Sequence, residues 1–233
     1  MGLYEYDVDK SCLEIFQQGF SYLPSIKTLI DKNNICEEAL QEIGSRTYST
    51  DNKAHLKLVN LMNLEPLFES VFSKAIVDFK VSIDKTDRYF VARKVNPGQS
   101  SEKYRAHFDS HLLTIVLPIS IPKSENGFAE RGELKAAPNA RKFPRYELIN
   151  ILQKAYWKKY ASEAGFDVVS KSTHVITEYF DDYKPLAFLG TTTLHGNNFV
   201  SKNSESRLTF LCHLYDPSPK YGIGALLRKI RGR

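Results

Sequence analysis

The chain has 233 residues, of which 42% are hydrophobic and 25% are charged. This composition fits a globular protein with one sizeable core, and it excludes a collagen-like chain, a long disordered polyelectrolyte and a disulfide-rich miniprotein. The net charge of +5 arises at the C-terminus: five of the 32 basic residues and no acidic residue follow position 219, which leaves 27 basic against 27 acidic residues in the body. A nucleic-acid-binding domain more often spreads its positive charge over a folded face, so we expect no nucleic-acid partner.

The cysteine content and the N-terminus predict a cytoplasmic protein. Three cysteines without a C-x-x-C pair form neither a disulfide framework nor a zinc knuckle, which favours a reducing compartment. The first nine residues are polar and acidic, and no run approaches 18 apolar residues, so neither a signal peptide nor a transmembrane helix is expected. The basic tail, 220–233, predicts a solvated terminal helix or, alternatively, a weak contact with anionic lipid or glycolipid.

Hydrophobic periodicity predicts helices first and strands afterwards. Apolar residues at intervals of three or four predict helices in 12–43, interrupted at Pro24, and in 54–80. Four β-rich runs follow, and a helical pattern at 147–164 lies between the second and the third of them. These runs are 88–95, 111–121, 186–194 and 207–215.

This order predicts an α+β protein with a sandwich or barrel-like sheet core. We expect a single domain over residues 1–219. Within it, 1–80 form a helical support and 87–216 form the sheet core, which contains the inserted helix near 147–164.

Three residues of the β-rich half have the types needed for a metal site. His107 and Asp109 form an H-x-D motif, and on an extended strand residues i and i+2 point to the same face, so both side chains can reach one ion. His195 lies 86 residues after Asp109, within another β-rich stretch. Two imidazoles and one carboxylate on one side of a metal are the ligand set of non-haem Fe(II) oxygenases, which leave the opposite positions open.

A carboxylate receptor follows this motif in the sequence. Arg207 begins a β-rich run, and Thr209, two residues later, shares its strand face. A guanidinium with a neighbouring hydroxyl suits a carboxylate, because Arg can bind it through two parallel hydrogen bonds. The polar stretch 197–206 supplies a loop in which the chain can reverse, so this run should lie beside the one that contains His195.

The combined pattern resembles that of the Fe(II)/2-oxoglutarate-dependent dioxygenases over about residues 87–216. The segments 131–134 and 138–141 also look like the G-E-L turn and the loop that follow the metal strand in many such hydroxylases. The departure is the helical stretch at 147–164, which lengthens the gap before the distal histidine. The resemblance implies a double-stranded β-helix (jelly-roll) core.

The resemblance also implies a cofactor and an activity. Fe(II) would bind His107, Asp109 and His195, and Arg207 with Thr209 would bind the far carboxylate of the cosubstrate 2-oxoglutarate. With O2, such enzymes oxidise a substrate, most often by hydroxylation, and release succinate and CO2. The carboxylate of Asp109 favours hydroxylation or another oxidation over halogenation, because the related halogenases have a small residue at this position.

The predicted substrate is a small polar or anionic molecule, such as an amino acid, a sugar acid or a natural-product intermediate. Arginine and tyrosine side chains near the expected pocket suggest this class. The candidate substrate-binding residues are Tyr89, Arg93, Tyr104, Arg105, Asn139 and Arg141.

Two alternative functions remain open at this stage. A non-catalytic jelly-roll binding module would keep the fold without tight binding of 2-oxoglutarate. A zinc-dependent hydrolase could use the same His and Asp ligands, with Glu133 as the nearest general base in sequence, but it leaves Arg207 and Thr209 unexplained.

Overall fold

The computed structural model describes residues 4–99, 106–123, 130–160, 162–171 and 173–217. Its N-terminal part is mostly helical and its remainder contains most of the strands. The N-terminal elements are α1 (Val8–Gln18), β1 (Phe20–Tyr22), α2 (Lys27–Lys32), α3 (Ile35–Ile43), β2 (Tyr48–Thr50), α4 (Lys53–Leu61) and α5 (Glu65–Phe79). The later elements are β3 (Arg88–Val95), β4 (Leu113–Ser120), β5 (Leu134–Ala137), α6 (Glu147–Trp157), a 3₁₀ turn (Lys158–Tyr160), α7 (Glu163–Ser170), β6 (Ile176–Glu178), β7 (Leu186–Leu189), β8 (Leu194–Asn197) and β9 (Arg207–Leu214).

Two antiparallel sheets form the core. The larger sheet has the strand order β1-β7-β4-β9-β3-β2, and the smaller one has the order β6-β5-β8. Apolar side chains from both sheets meet between them, among them Val116 and Phe188 of the larger sheet and Leu134 of the smaller sheet. This arrangement confirms the predicted double-stranded β-helix, in which the space between the sheets is the interior of the barrel.

The helical layer packs on the outer face of the larger sheet. Leu208, Phe210 and Cys212 of β9 are buried together with apolar residues of the helices, whereas Leu211 packs into the cluster between the sheets. Because side chains alternate along a strand, Arg207, Thr209 and His213 must share the interior face with Leu211. A shift of one residue would exchange the two faces, so burial of the apolar set fixes which polar residues enter the barrel.

Several short elements differ from the prediction, and each difference has a local cause. The helical pattern expected over 12–43 is interrupted by β1, because α1 ends at Gly19 in the left-handed conformation (φ 89°) and the next three residues pair with β7. The run expected at 186–194 is two strands, β7 and β8, which belong to different sheets. The strands β2, β5 and β6 were not predicted, since three or four residues are too few to establish a period of two.

The remaining helices follow the prediction with different boundaries. The stretch 54–80 is divided into α4 and α5, and the insert expected at 147–164 contains α6 and the 3₁₀ turn and continues into α7. Tyr104, Arg105 and the basic tail lie outside the described residues. Among the described residues, none of the helices combines the length and the apolar character that a membrane span needs.

The buried His55 of α4 should make the stability of the fold depend on pH. Its ring stacks on Phe210 with 4.5 Å between centroids, and burial lowers its pKa to about 3. The unfolded chain, where a histidine has a pKa near 6.5, therefore binds a proton that the folded chain does not. The contribution of His55 to the free energy of unfolding is therefore fully present above pH 6.5 and declines as the pH falls towards 3.

We expect the wild type to lose about 2.5 kcal/mol more unfolding free energy than His55→Leu between pH 7 and pH 4.5. Urea unfolding of both proteins at the two pH values measures this difference. The comparison cancels any constant packing effect of the substitution, as well as the titration of the other histidines. Equal losses in the two proteins would contradict the assignment.

Candidate metal centre

Backbone hydrogen bonds bring the predicted ligands together. The main chains of His107 and His195 exchange two hydrogen bonds, of 2.9 and 3.0 Å, which join the H-x-D segment to β8. The Asp109 amide donates to the carbonyl of Gly190 at 3.0 Å, just after β7. A single antiparallel bridge therefore positions His107, and the turn after β7 positions Asp109. The sequence suggested a continuous strand for this segment instead.

The three side chains form a compact set of donors. The ligand atoms of His107, Asp109 and His195 all lie within 4.8 Å of one another, and no other such group of three occurs among the residues that the structure describes. The Nε2 atoms of His107 and His195 lie 3.4 and 3.5 Å from the two carboxylate oxygens of Asp109. These separations suit nitrogen and oxygen donors that share one ion. The side chain of His107 is 54% exposed and the other two are 9% exposed, so one side of the site is open.

Neighbouring groups orient these ligands. The Nδ1 atom of His195 lies 3.1 Å from the carbonyl of Thr193, so that nitrogen donates and the lone pair of Nε2 faces Asp109. The Thr114 hydroxyl donates to Asp109 Oδ2 at 2.5 Å and lies 3.1 Å from Nδ1 of His213. Because the hydroxyl proton is used on Asp109, the His213 ring must donate to the Thr114 oxygen. His213 and Thr114 thus form a chain of hydrogen bonds that ends on Asp109.

The pKa values match the charge states that a metal requires. Burial would raise the pKa of Asp109, but the imidazoles of His195, His213 and His107 outweigh it and hold this pKa well below its ordinary value. Burial lowers the pKa of both His195 and His213 to about 4. At neutral pH the site therefore offers the carboxylate of Asp109 and the neutral imidazole of His195, which are the forms that bind a divalent cation.

Arg207 lies in the same interior, and its donors are only partly used. Its Nη1 donates to the carbonyl of Gly132 and to Oδ1 of Asn197, two residues beyond His195 on β8. Its Nε is buried and has no hydrogen-bond partner among the described residues. Burial lowers the pKa of Arg207 to about 10, so the group stays charged at neutral pH. With the buried Thr209 on the same strand face, this unused donor fits a carboxylate ligand.

A second guanidinium faces the same interior. Arg93 lies opposite Thr209 in the β3–β9 register. Its charge is among the causes that lower the pKa of Arg207 and of His195, which places it near both. Glu133 also faces Arg207, but its carboxylate accepts hydrogen bonds from the Asn198 amide at 2.6 Å and from the backbone of Arg131 at 3.2 Å. Glu133 thus holds the loop around Arg207, which leaves it poorly placed as a base for hydrolysis.

An aromatic stack lies beside the metal ligands. The rings of His111 and His213 are 5.3 Å apart, and the Tyr89 ring is 6.2 Å from each of them. The side chain of Tyr89 is 41% exposed. The predicted substrate residue Tyr89 is therefore at the edge of the site, in contact with His213, which also touches Asp109.

Two other predicted substrate residues have structural contacts. Arg141 is buried, donates to the carbonyl of Thr191 and to the side chains of Asn150 and Gln153, and lies over the Phe108 ring at 4.0 Å. These contacts join α6 to the H-x-D segment and to the turn after β7, and a substrate contact of Arg141 stays a prediction. Asn139 occupies a left-handed turn position (φ 52°) and accepts a hydrogen bond from Thr192.

Thr114 and His213 are not among the candidate site residues named from the sequence. Thr114 is the one hydroxyl residue in the interior-facing part of the apolar run 112–117, and a polar side chain in such a run was the available signal. His213 shares a strand face with Arg207 and Thr209, which was visible from the spacing. Its contact with Asp109 depends on pairing between β4 and β9, which the sequence does not reveal.

Comparisons with known proteins support the fold. No protein-family model and no curated protein matches the chain. A prolyl-4-hydroxylase from Pseudomonas putida is similar in structure, with a TM-score of 0.57 and 10% identity over 94% of this chain and 99% of that chain. A prolyl hydroxylase from Trichoplax adhaerens, solved with a fragment of hypoxia inducible factor, has a TM-score of 0.54 and 12% identity over 90% of this chain and 89% of that chain. The non-heme alpha-ketoglutarate-dependent epimerase SnoN from nogalamycin biosynthesis has a TM-score of 0.53 and 10% identity over 93% of this chain and 87% of that chain. At these identities the likeness shows that the chain has the fold of 2-oxoglutarate oxygenases.

Thr114→Val should weaken metal binding without disrupting the fold. The substitution preserves the shape of the side chain but removes the hydroxyl that orients Asp109, and loss of such a partner lowers metal affinity about 10–100-fold. Anaerobic titration with Fe(II) or Mn(II) measures the change. Thr191→Val is the matched control, because the Thr191 hydroxyl is also buried but has no hydrogen-bond partner among the described residues. Equal affinities in the two variants would contradict the orienting role.

Proposed function

We propose that the chain is an Fe(II)- and 2-oxoglutarate-dependent oxygenase that hydroxylates a small polar or anionic molecule. One observation carries this proposal. His107, Asp109 and His195 converge inside a double-stranded β-helix, in which the buried guanidinium of Arg207 has a donor that no other described residue uses. A structural metal site would use the three ligands but has no need of a carboxylate receptor. The presence of both parts therefore favours an oxygenase over a binding module or a hydrolase.

Each part of the interior has a task in this reaction. When bound, Fe(II) with 2-oxoglutarate and O2 supplies the oxidising power, and succinate and CO2 are the co-products. His107, Asp109 and His195 would hold the iron, while Thr114 and the carbonyl of Thr193 keep two of these ligands in orientation. Arg207 and Thr209 would bind the far carboxylate of the cosubstrate, because the buried Nε of Arg207 has no hydrogen-bond partner in the part of the chain that the structure describes.

The charges and rings around the site support a polar or anionic substrate. Arg93 adds positive charge next to His195. The stack of Tyr89, His111 and His213 forms one wall, and the exposed edge of Tyr89 faces outward. We infer that the substrate binds between this wall and Arg93, where a flat or hydroxylated molecule can contact the rings and an acidic group can approach the guanidinium.

The first test of the proposal couples turnover to metal content. Purified protein with Fe(II), 2-oxoglutarate and ascorbate should release succinate, and a panel of amino acids and sugar acids should stimulate that release. His107→Ala and Asp109→Ala should abolish succinate release and bound iron together, because each removes one of three ligands. Retention of iron in both variants would refute the proposed centre. Zinc in protein purified without oxygen, with no binding of 2-oxoglutarate, would indicate the hydrolase instead.

A second test concerns the cosubstrate. Arg207→Lys keeps the positive charge but loses the planar pair of donors, so the KM for 2-oxoglutarate should rise about 10–100-fold while iron affinity is unchanged. Arg131→Lys is a suitable control. Arg131 also binds a carboxylate through two nitrogens, but this carboxylate belongs to Asp181 at the protein surface. An unchanged KM in Arg207→Lys would show that this residue does not bind the cosubstrate.

A further inference from the structure

The inserted helix α6 has its apolar residues on the outside. Leu148, Ile149, Leu152 and Tyr156 are between 41% and 60% exposed, and Ala155 is exposed with them. Their spacing of i, i+1, i+4, i+7 and i+8 places them on one face of the helix. We call this face the α6 stripe. No residue of α6 is buried, so the stripe is an apolar surface that the described part of the chain leaves uncovered.

The opposite face of α6 meets the protein and carries the polar residues Asn150 and Gln153 beside Trp157, which packs edge-on against Phe108. Asn150 and Gln153 accept hydrogen bonds from Arg141, which is buried beneath the helix. An ordinary surface helix buries its apolar side and exposes its polar side. In α6, the hydrogen bonds from Arg141 hold Asn150 and Gln153 towards the protein, so the apolar stripe faces outward.

Basic side chains border both ends of the stripe. Lys142 and Arg145 precede it, Lys158 and Lys159 follow it, and all four are exposed. Residues 142–160 contain five basic residues and one acidic residue, Glu147. The ring of Tyr156, within the stripe, lies 3.8 Å from Nζ of Lys159. An apolar helical face that carries tyrosine and is bordered by lysine and arginine is the arrangement that binds an anionic bilayer surface.

We propose that the α6 stripe docks the protein on an anionic membrane surface. The apolar side chains would enter the boundary between headgroups and acyl chains, and the bordering cations would contact the lipid phosphates. This surface does not require the basic tail, although the tail would add to the same attraction.

The charge pattern disfavours other occupants of the stripe. A second copy that packed its own stripe across a two-fold axis would bring 142–145 of one chain beside 158–159 of the other, and both segments are basic. The tail of the same chain, 220–233, contains basic residues and no acidic ones, so it would also be repelled. An anionic bilayer offers acyl chains to the apolar stripe and negatively charged headgroups to its basic border.

Vesicle binding by the full-length protein tests the proposal. Vesicles with equal parts of phosphatidylcholine and phosphatidylglycerol should co-sediment with the wild type, whereas vesicles of phosphatidylcholine alone should not. The double variant Leu148→Gln/Leu152→Gln should bind at least about tenfold more weakly, because both side chains are lost from the buried face. Lys158→Gln/Lys159→Gln should weaken binding by about fivefold for each lysine at low salt.

The matched control is Leu13→Gln/Val77→Gln, which changes two exposed apolar residues of α1 and α5. This variant should bind vesicles as the wild type does. Wild-type binding by the stripe variant would overturn the proposal. A wild-type dimer by light scattering that the stripe variant converts to a monomer, without vesicle binding, would also overturn it in favour of a second copy. None of these measurements uses turnover, so they succeed or fail independently of the proposed oxygenase activity.

Discussion

The pairing between His107 and His195 is the contact on which the site depends. Their main chains exchange two hydrogen bonds, which connect a loop from the middle of the chain to a strand 88 positions later. This bridge adds the H-x-D segment to the smaller sheet, and the amide of Asp109 then reaches Gly190 beyond β7. Without that closure, His195 would lie on a segment separate from His107 and Asp109. A metal ion bound there would in turn join these segments and stabilise the closed barrel.

The barrel interior contains more charge than a protein core normally contains. Arg207, Arg93, Glu133 and Asp109 all face it, and burying an unpaired charge costs several kcal/mol. Asp109 is compensated by hydrogen bonds and imidazoles, and Glu133 by Asn198 and the backbone. Arg207 retains an unpaired donor among the described residues. In the proposed function, this unequal compensation would leave an anion-binding group in the same interior as the three candidate ligands, as a chelating dicarboxylate requires.

Strand alternation and residue type are local properties, so the sequence was enough to name the candidate ligands that the structure brings together. His107, Asp109, His195 and Arg207 could be named from spacing, and β3 and β9 have nearly the predicted limits. The contact of Thr114 with Asp109, the stacking of His111 on His213 and the role of Arg141 depend on which distant segments pair. A sequence also cannot distinguish an exposed from a buried apolar helix face. The helix at 147–164 was therefore predicted, but the exposure of its apolar face was not.

Arg141 connects the surface feature to the metal loop. Its guanidinium lies over Phe108, the residue between two of the ligands, while its donors reach Asn150 and Gln153 of α6. Trp157, at the end of the same helix, packs edge-on against Phe108 with 5.7 Å between ring centroids. Displacement of α6 by a surface that binds its outer face would therefore act directly on the residue between His107 and Asp109. The helix α6 and the H-x-D segment thus share one packing unit, in which Arg141 and Trp157 both contact Phe108.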